Sequence, residues 1–190
     1  MERESAAPAS CYFFYPQLVC LVGVLDPARD GCNFAPVVWA SPMSSDPPLF
    51  GICLSPKTYS YELVLKVGEF TLNFLDAAQT PLVQRLGKLS GRTTDKVKTL
   101  NLPLAPPETL ETPTLAMAYV AAECQLRDRH PVGDQILLIG EVMGVQVQPG
   151  AFDADGVLRL ERVSPLFYLG GGRYVTTERR TCTGSTTSSD

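Results

Sequence analysis

Residues 33–60 change structural character three times. Asn33–Trp39 has strand composition, residues 40–48 form a polar, proline-rich break, Leu49–Leu54 returns to strand, and Ser55 onward opens a helix. A chain that switches this often leaves no room for long elements. The rest follows suit: Gln17–Leu25 is an apolar run rich in Val and Leu, residues 26–31 are a turn cluster, and Glu69–Leu75 alternates as a strand. Short strands at close spacing imply a mainly β fold, a small antiparallel barrel with few short helices.

The helices carry their own punctuation. Thr58–Val67 has helical spacing and stops at Gly68. Thr80-Pro81 predicts a second helix, with Thr80 as N-cap and Pro81 in the first turn, ending near Gly87. Leu115–Arg127 favours helix by local propensity. Yet residues 130–134 form a turn and Gln135–Val147 has strand composition, so the two runs are expected to pair as a hairpin. Gly170-Gly171-Gly172 marks a last turn.

The 190 residues suit one domain, placed at 11–175. Residues 1–10 and 176–190 have little to bury and are expected to be flexible tails. Net charge is −4, against nucleic acid as a partner. The apolar stretch 11–24 is broken by Pro16 and Gln17, too short for a bilayer. A signal peptide's basic start and clean apolar run are also lacking. A cytoplasmic protein is expected. Six cysteines without a Cys-x-x-Cys pair, beside the single His130, imply reduced thiols and no metal site.

Two segments carry chemistry. Ala40–Pro48 could lay backbone amides against a flat polar ring, its prolines fixing the path. An ordinary connection between strands fits the same composition. Ser55-Pro56-Lys57-Thr58-Tyr59-Ser60 puts hydroxyls and one cation at a helix start, where free amides and the dipole favour an anion. A simple N-cap with a solvated lysine fits as well. A flavin mononucleotide has both a flat ring and a phosphate. Gly87–Lys96, with two glycines and three cations, reads as a positive loop that either covers an anion or is solvated surface. There is no Gly-x-Gly-x-x-Gly fingerprint, no P-loop and no Ser-His-Asp arrangement, and Asp153, Asp155 and Gly156 lack the other ligands of a calcium loop. No catalytic residue is assigned.

In order, the chain reads Asn33-x-Ala35-Pro36, Ser41-Pro42-x-Ser44-x-Asp46-Pro47-Pro48, Ser55-Pro56-Lys57, Gly68-Glu69-Phe70-x-x-Asn73, Ser90-Gly91 through Asp95-Lys96, Glu123-Cys124, Gly133-Asp134, Gly140-Glu141-Val142 and Pro165-Leu166-x-Tyr168-x-Gly170-Gly171-x-x-Tyr174. This succession over residues 15–175 resembles the flavin reductase-like family, in particular its flavoredoxin branch. The resemblance implies a split β-barrel that binds FMN and forms a homodimer. It implies transfer of hydride from NADH or NADPH to flavin, or onward passage of electrons to free flavin or an acceptor protein. Carried over by position, Trp39, Ala40, Ser41, Pro42, Met43 and Ser44 line the ring. Ser55, Lys57, Thr58 and Ser60 hold the phosphate, and Ser90 and Lys96 approach it from a neighbouring loop. One departure stands out: the family often has Gly-Asp-His where this chain has Gly133-Asp134-Gln135, and glutamine cannot titrate. A flavin-binding module without turnover is therefore the alternative.

Overall fold

The computed structural model describes residues 11–178. Twelve strands and three α-helices follow the chain: β1 (Gln17–Leu18), β2 (Cys20–Asp26), β3 (Gly31–Val37), β4 (Ala40–Ser45), β5 (Pro48–Leu54), α1 (Tyr59–Val67), β6 (Glu69–Phe74), α2 (Thr80–Lys88), α3 (Lys96–Leu100), β7 (Leu104–Ala105), β8 (Thr114–Leu115), β9 (Val120–Val132), β10 (Gln135–Val147), β11 (Leu166–Gly170) and β12 (Arg173–Thr176). Seven strands form one antiparallel sheet in the order β3-β2-β6-β9-β10-β5-β4, and β1-β11-β12 form a second. Val37 from one end of the large sheet and Ile52 and Leu54 from near the other share one core cluster. The sheet thus wraps around that core as a split barrel.

Strand β2 shows why. Its apolar residues alternate between two cores: Cys20, Val22 and Val24 enter the barrel cluster, while Leu21 packs with Phe34, Val83 and Leu86 outside it. A strand buried on both faces reads as a continuous apolar run, which is what Val19–Leu25 is. Helix α1 plugs the barrel side with Leu63 and Val64, and α2 covers the outer side with Val83 and Leu86.

Helix α1 begins and ends where expected. Thr58 is the N-cap, and Gly68 closes the helix at φ 81°, a left-handed position that glycine occupies without strain. The pairing of β9 with β10 settles Val120–Arg127 against helix, while residues 116–119, expected in the same strand, form a turn between β8 and β9. Sheet partners on both sides of β9 outweigh local propensity.

Four expectations are corrected. Residues 40–45 are not loop but edge strand β4, paired to β5 with a bulge between Pro42 and Ser44. Proline is tolerated there because an edge strand need not donate outward. Thr80 is not an N-cap; Asp76 caps a preceding 3-10 turn by accepting from the Ala78 amide at 2.9 Å, and Thr80 Oγ1 donates to the Ala77 carbonyl. Gly87–Lys96 is the end of α2, a turn and the start of α3, where Asp95 caps by accepting from the Lys98 amide at 3.0 Å. Thr176 lies in β12, with its hydroxyl bonded to the Pro165 carbonyl, so ordered chain passes the boundary placed at 175. The expected tails otherwise lie outside the described residues, as do Cys182 and the side chain of Cys11.

Cys20 and Cys124 are buried, and burial pushes both thiols up to about 12, deep in the unreactive range. Cys32 is buried and Cys53 half-buried; all four are free thiols. Among the described residues no group of three or more His, Cys, Asp or Glu side chains clusters to hold a metal, and no helix is long and apolar enough to cross a membrane.

Candidate functional site

β3 is the outermost strand at one end of the large sheet, and two adjoining cavities run along it. The larger, about 290 Å³, lies between β3, the start of α1, the end of α2 and the turn after it. Its walls are Asn33, Ala35, Pro36, Lys57, Thr58, Tyr59, Ser60, Leu86, Gly87, Leu89, Ser90, Gly91, Arg92 and Lys96.

The start of α1 is built locally. Thr58 Oγ1 accepts from the Tyr61 amide and donates to the Ser55 carbonyl at 2.8 Å, while Ser55 Oγ accepts from the Lys57 amide. Helix geometry leaves the amides of Tyr59 and Ser60 without intrahelical acceptors, and both residues line the cavity, an arrangement that suits an anion. Lys57 is exposed beside it.

Below this rim lies Asn33, only 3% exposed. Its Nδ2 donates to Ser60 Oγ at 2.9 Å, and its Oδ1 is the one buried side-chain polar atom without a partner among the described residues. A buried acceptor left open calls for a donor. Gly91 closes over Asn33 so tightly that a Cβ there would lie 2.2 Å from Oδ1.

Lys96 forms the floor. It is 4% exposed, and its Nζ donates at 2.9 Å to the carbonyls of both Phe34 and Leu86. Burial pulls its pKa down to about 8. It is a fixed cation of the fold, not a side chain reaching in from a mobile loop.

The rim turn is held from behind. The Arg29 guanidinium donates to the carbonyls of Gly91, Arg92 and Thr94. Arg92 pairs with Glu62 through both terminal guanidinium nitrogens, Nη1 at 2.6 Å, and donates from Nη2 to the Lys57 carbonyl at 3.3 Å. Both guanidinium groups lie over the Tyr59 ring, Arg29 at 5.8 Å and Arg92 at 5.5 Å from its centroid, and the Tyr59 hydroxyl donates to the buried Asp26 at 2.8 Å. Burial and then that bond raise the Tyr59 pKa.

The second cavity, about 210 Å³, is lined by Val19, Pro36, Val38, Tyr168 and Tyr174. Pro36 borders both cavities. Tyr168 and Tyr174 lie with ring centroids 5.1 Å apart, and Tyr15 is 6.1 Å from Tyr168.

The residues expected at the site divide accordingly. Lys57, Thr58, Ser60, Ser90 and Lys96 line one cavity, and Ser55 braces its rim. Trp39 and Ala40–Ser44 line neither cavity. Trp39 donates from Nε1 to the Tyr15 hydroxyl at 2.9 Å, and Met43 is 51% exposed on the outer strand. Gln135 is half-buried at the start of β10, paired with Val132. His130, expected in a turn, instead ends up exposed on β9 with Nε2 3.0 Å from Asp128, away from both cavities. Asn33, Arg92, Tyr168 and Tyr174 were not placed in the site by sequence reasoning. Asn33, Tyr168 and Tyr174 are named in the quoted motifs, and Arg92 lies within the quoted span from Ser90 to Lys96.

The larger cavity suits a phosphorylated polyol. Its cations and helix amides fit the anion, and Asn33 Oδ1 fits a ligand hydroxyl. The adjoining aromatic cavity is apolar.

The chain matches the family described as "Flavin reductase like domain" over residues 12–177. It is similar to an FMN-binding protein from Thermus thermophilus crystallised with bound 1-cyclohex-2-enone: 34% identity, 97% of this chain and 99% of that one covered, TM-score 0.84. It is likewise similar to the flavoredoxin of Desulfovibrio vulgaris (Miyazaki F), at 25% identity, with 98% and 99% covered and a TM-score of 0.85. An uncharacterised protein of Aeropyrum pernix is 31% identical over 160 residues, covering 84% of this chain; the chain spans 59% of that relative's length.

Proposed function

The chain belongs to the flavin reductase-like domain family, and from that premise we propose that it binds FMN and acts as an NAD(P)H-dependent flavin reductase or a flavoredoxin-type electron carrier. The observation that carries this reading is the cavity along β3, which unites a helix N-terminus, three cations and the unpartnered acceptor Asn33 Oδ1. Lys57, Thr58, Ser60 and Arg92 would hold the phosphate, Asn33 would meet a ribityl hydroxyl, and Pro36 leads to the apolar ground between Tyr168 and Tyr174. Bound flavin supplies the hydride-accepting chemistry; the chain binds, orients and shields it.

Trp39–Ser44 would reach the ring from the outward edge of β4, whose amides face no further strand. Exposed Trp39, Met43, Met143, Val145 and Val147 support a homodimer in which a second copy covers such surface. The free thiols support a reducing, cytoplasmic setting. Free flavin or an acceptor protein would take the electrons.

The test is the visible spectrum of purified protein with FMN, followed by anaerobic NADH and NADPH. Flavin absorbance is expected to appear on binding and to bleach with a nicotinamide. Bound flavin that bleaches with neither would remove the reductase reading. Gln135 in place of the usual histidine favours a second reading, a flavin-binding module without turnover. That protein would show the spectrum and no bleaching.

A further inference from the structure

Three cations line the phosphate cavity: Lys57, Arg92 and Lys96. They are not equally available. Lys96 Nζ is buried and committed to the Phe34 and Leu86 carbonyls. Arg92 sits at the lip of α1, bonded to the Lys57 carbonyl, yet its charge is already matched by Glu62 in a two-point contact. Glu62 stands in the first turn of α1, where its charge also occupies the favourable field of the helix N-terminus. It therefore competes twice with an anion bound there.

We propose that Glu62 is a phosphate gate: it holds the Arg92 guanidinium while no anion is present, and an incoming phosphate displaces it and takes Arg92 as its own partner. This rests on the flavin phosphate lying at the start of α1.

The geometry suits an exchange. Both side chains are close to half exposed, 44% for Arg92 and 47% for Glu62, so neither is locked by packing. The Tyr59 ring offers the guanidinium a face on which to pivot. The backbone of the turn need not move, because Arg29 anchors the carbonyls of Gly91, Arg92 and Thr94. An exposed carboxylate pair is weak. A phosphate monoester carries nearly twice the charge and offers the same two-point geometry to arginine. The exchange therefore runs toward phosphate. Riboflavin, with no phosphate, gains nothing from it, so the gate acts on the preference for FMN.

The test measures FMN, riboflavin and inorganic phosphate binding by calorimetry. Glu62→Gln is expected to tighten FMN and inorganic phosphate by roughly fivefold and to leave riboflavin unchanged. Arg92→Gln is expected to weaken FMN, and in that background Glu62→Gln should bring little gain. The gate is refuted if Glu62→Gln leaves the FMN-to-riboflavin ratio unchanged, or if its full gain persists without Arg92. Failure of the unmutated chain to bind either FMN or inorganic phosphate has a different signature: it removes the flavin reading itself, and the gate with it.

Discussion

The Lys96 ammonium donates to the Phe34 carbonyl at 2.9 Å, and through that bond a charged side chain finishes the outer edge of a β-sheet. β3 has no strand beyond it, so its outward carbonyls need other donors. Lys96 serves Phe34 and Leu86 together, tying β3 to the end of α2 and forming the cavity floor.

Lys96→Met should remove the donor from two buried carbonyls and lower stability by about 1–3 kcal/mol. The pH dependence separates this from simple loss of packing. Because the folded pKa lies near 8, below the ordinary 10.5, the folded state holds fewer protons than the unfolded state between these values. The cost of the buried charge is full below about pH 8 and is relieved as pH rises toward 10.5. Urea unfolding should thus show this rising contribution in the native chain and not in Lys96→Met.

Lys96 also shows what could be read from sequence and what could not. Asp95 and Lys96 are visible as a charged pair beside Ser90-Gly91, but only the folded arrangement brings Lys96 against β3, far away in the chain. The start of α1 was legible because Thr58 and Gly68 are local signals that act within one turn. Strand β4 was not, since three prolines near an edge look the same as a loop until β5 is seen to pair with it. Arg92 belongs with Lys96: a loop cation acquires its role only from Glu62, thirty residues away.

Glu123→Gln should destabilise the fold by about 2–4 kcal/mol. The Glu123 carboxylate is fully buried and accepts from the amides of Glu108, Thr109 and Leu110 and from the Thr109 hydroxyl, at 2.8–2.9 Å. Burial would raise its pKa, but those donors more than offset it and hold the carboxyl below 4.5. Its contribution is present above its ordinary pKa and is lost as pH falls through the folded value. Denaturation between pH 7 and acid should show a shallower loss in the variant. Amide exchange at residues 108–110 should rise with it.

Gly91→Ala places a Cβ 2.2 Å from Asn33 Oδ1 and 2.8 Å from the Tyr59 ring. Overpacking of this kind costs about 1–3 kcal/mol. The clash falls on the cavity's polar wall, so FMN affinity should drop together with melting temperature. A variant of native stability and native affinity would show that the turn yields freely and that Gly91 sets neither.

Lys57→Glu tests the phosphate assignment by charge. Lys57 is an exposed cation at the start of α1, and among the described residues it makes no ion pair. Reversing it should leave the melting temperature nearly unchanged, since exposed substitutions usually shift stability by less than about 0.5 kcal/mol. FMN binding should weaken much more than riboflavin binding, and the difference should shrink at high salt. Equal losses for the two ligands would place the phosphate elsewhere.

Gln135→His addresses turnover. Gln135 opens β10 opposite Val132, at the end of a long hairpin, and neither cavity within this chain includes it. Its influence on bound flavin would therefore come through a second copy. A histidine there can carry charge where glutamine offers only a neutral amide. One added charge-assisted hydrogen bond to the reacting pair would raise the rate by about tenfold. The expected result is faster NADH or NADPH oxidation with FMN affinity nearly unchanged, measured across protein concentrations that would span formation of the proposed homodimer. The rate should fall as rising pH removes the imidazolium charge, a profile the native chain should lack. A variant with the native rate and a flat profile would separate position 135 from hydride transfer.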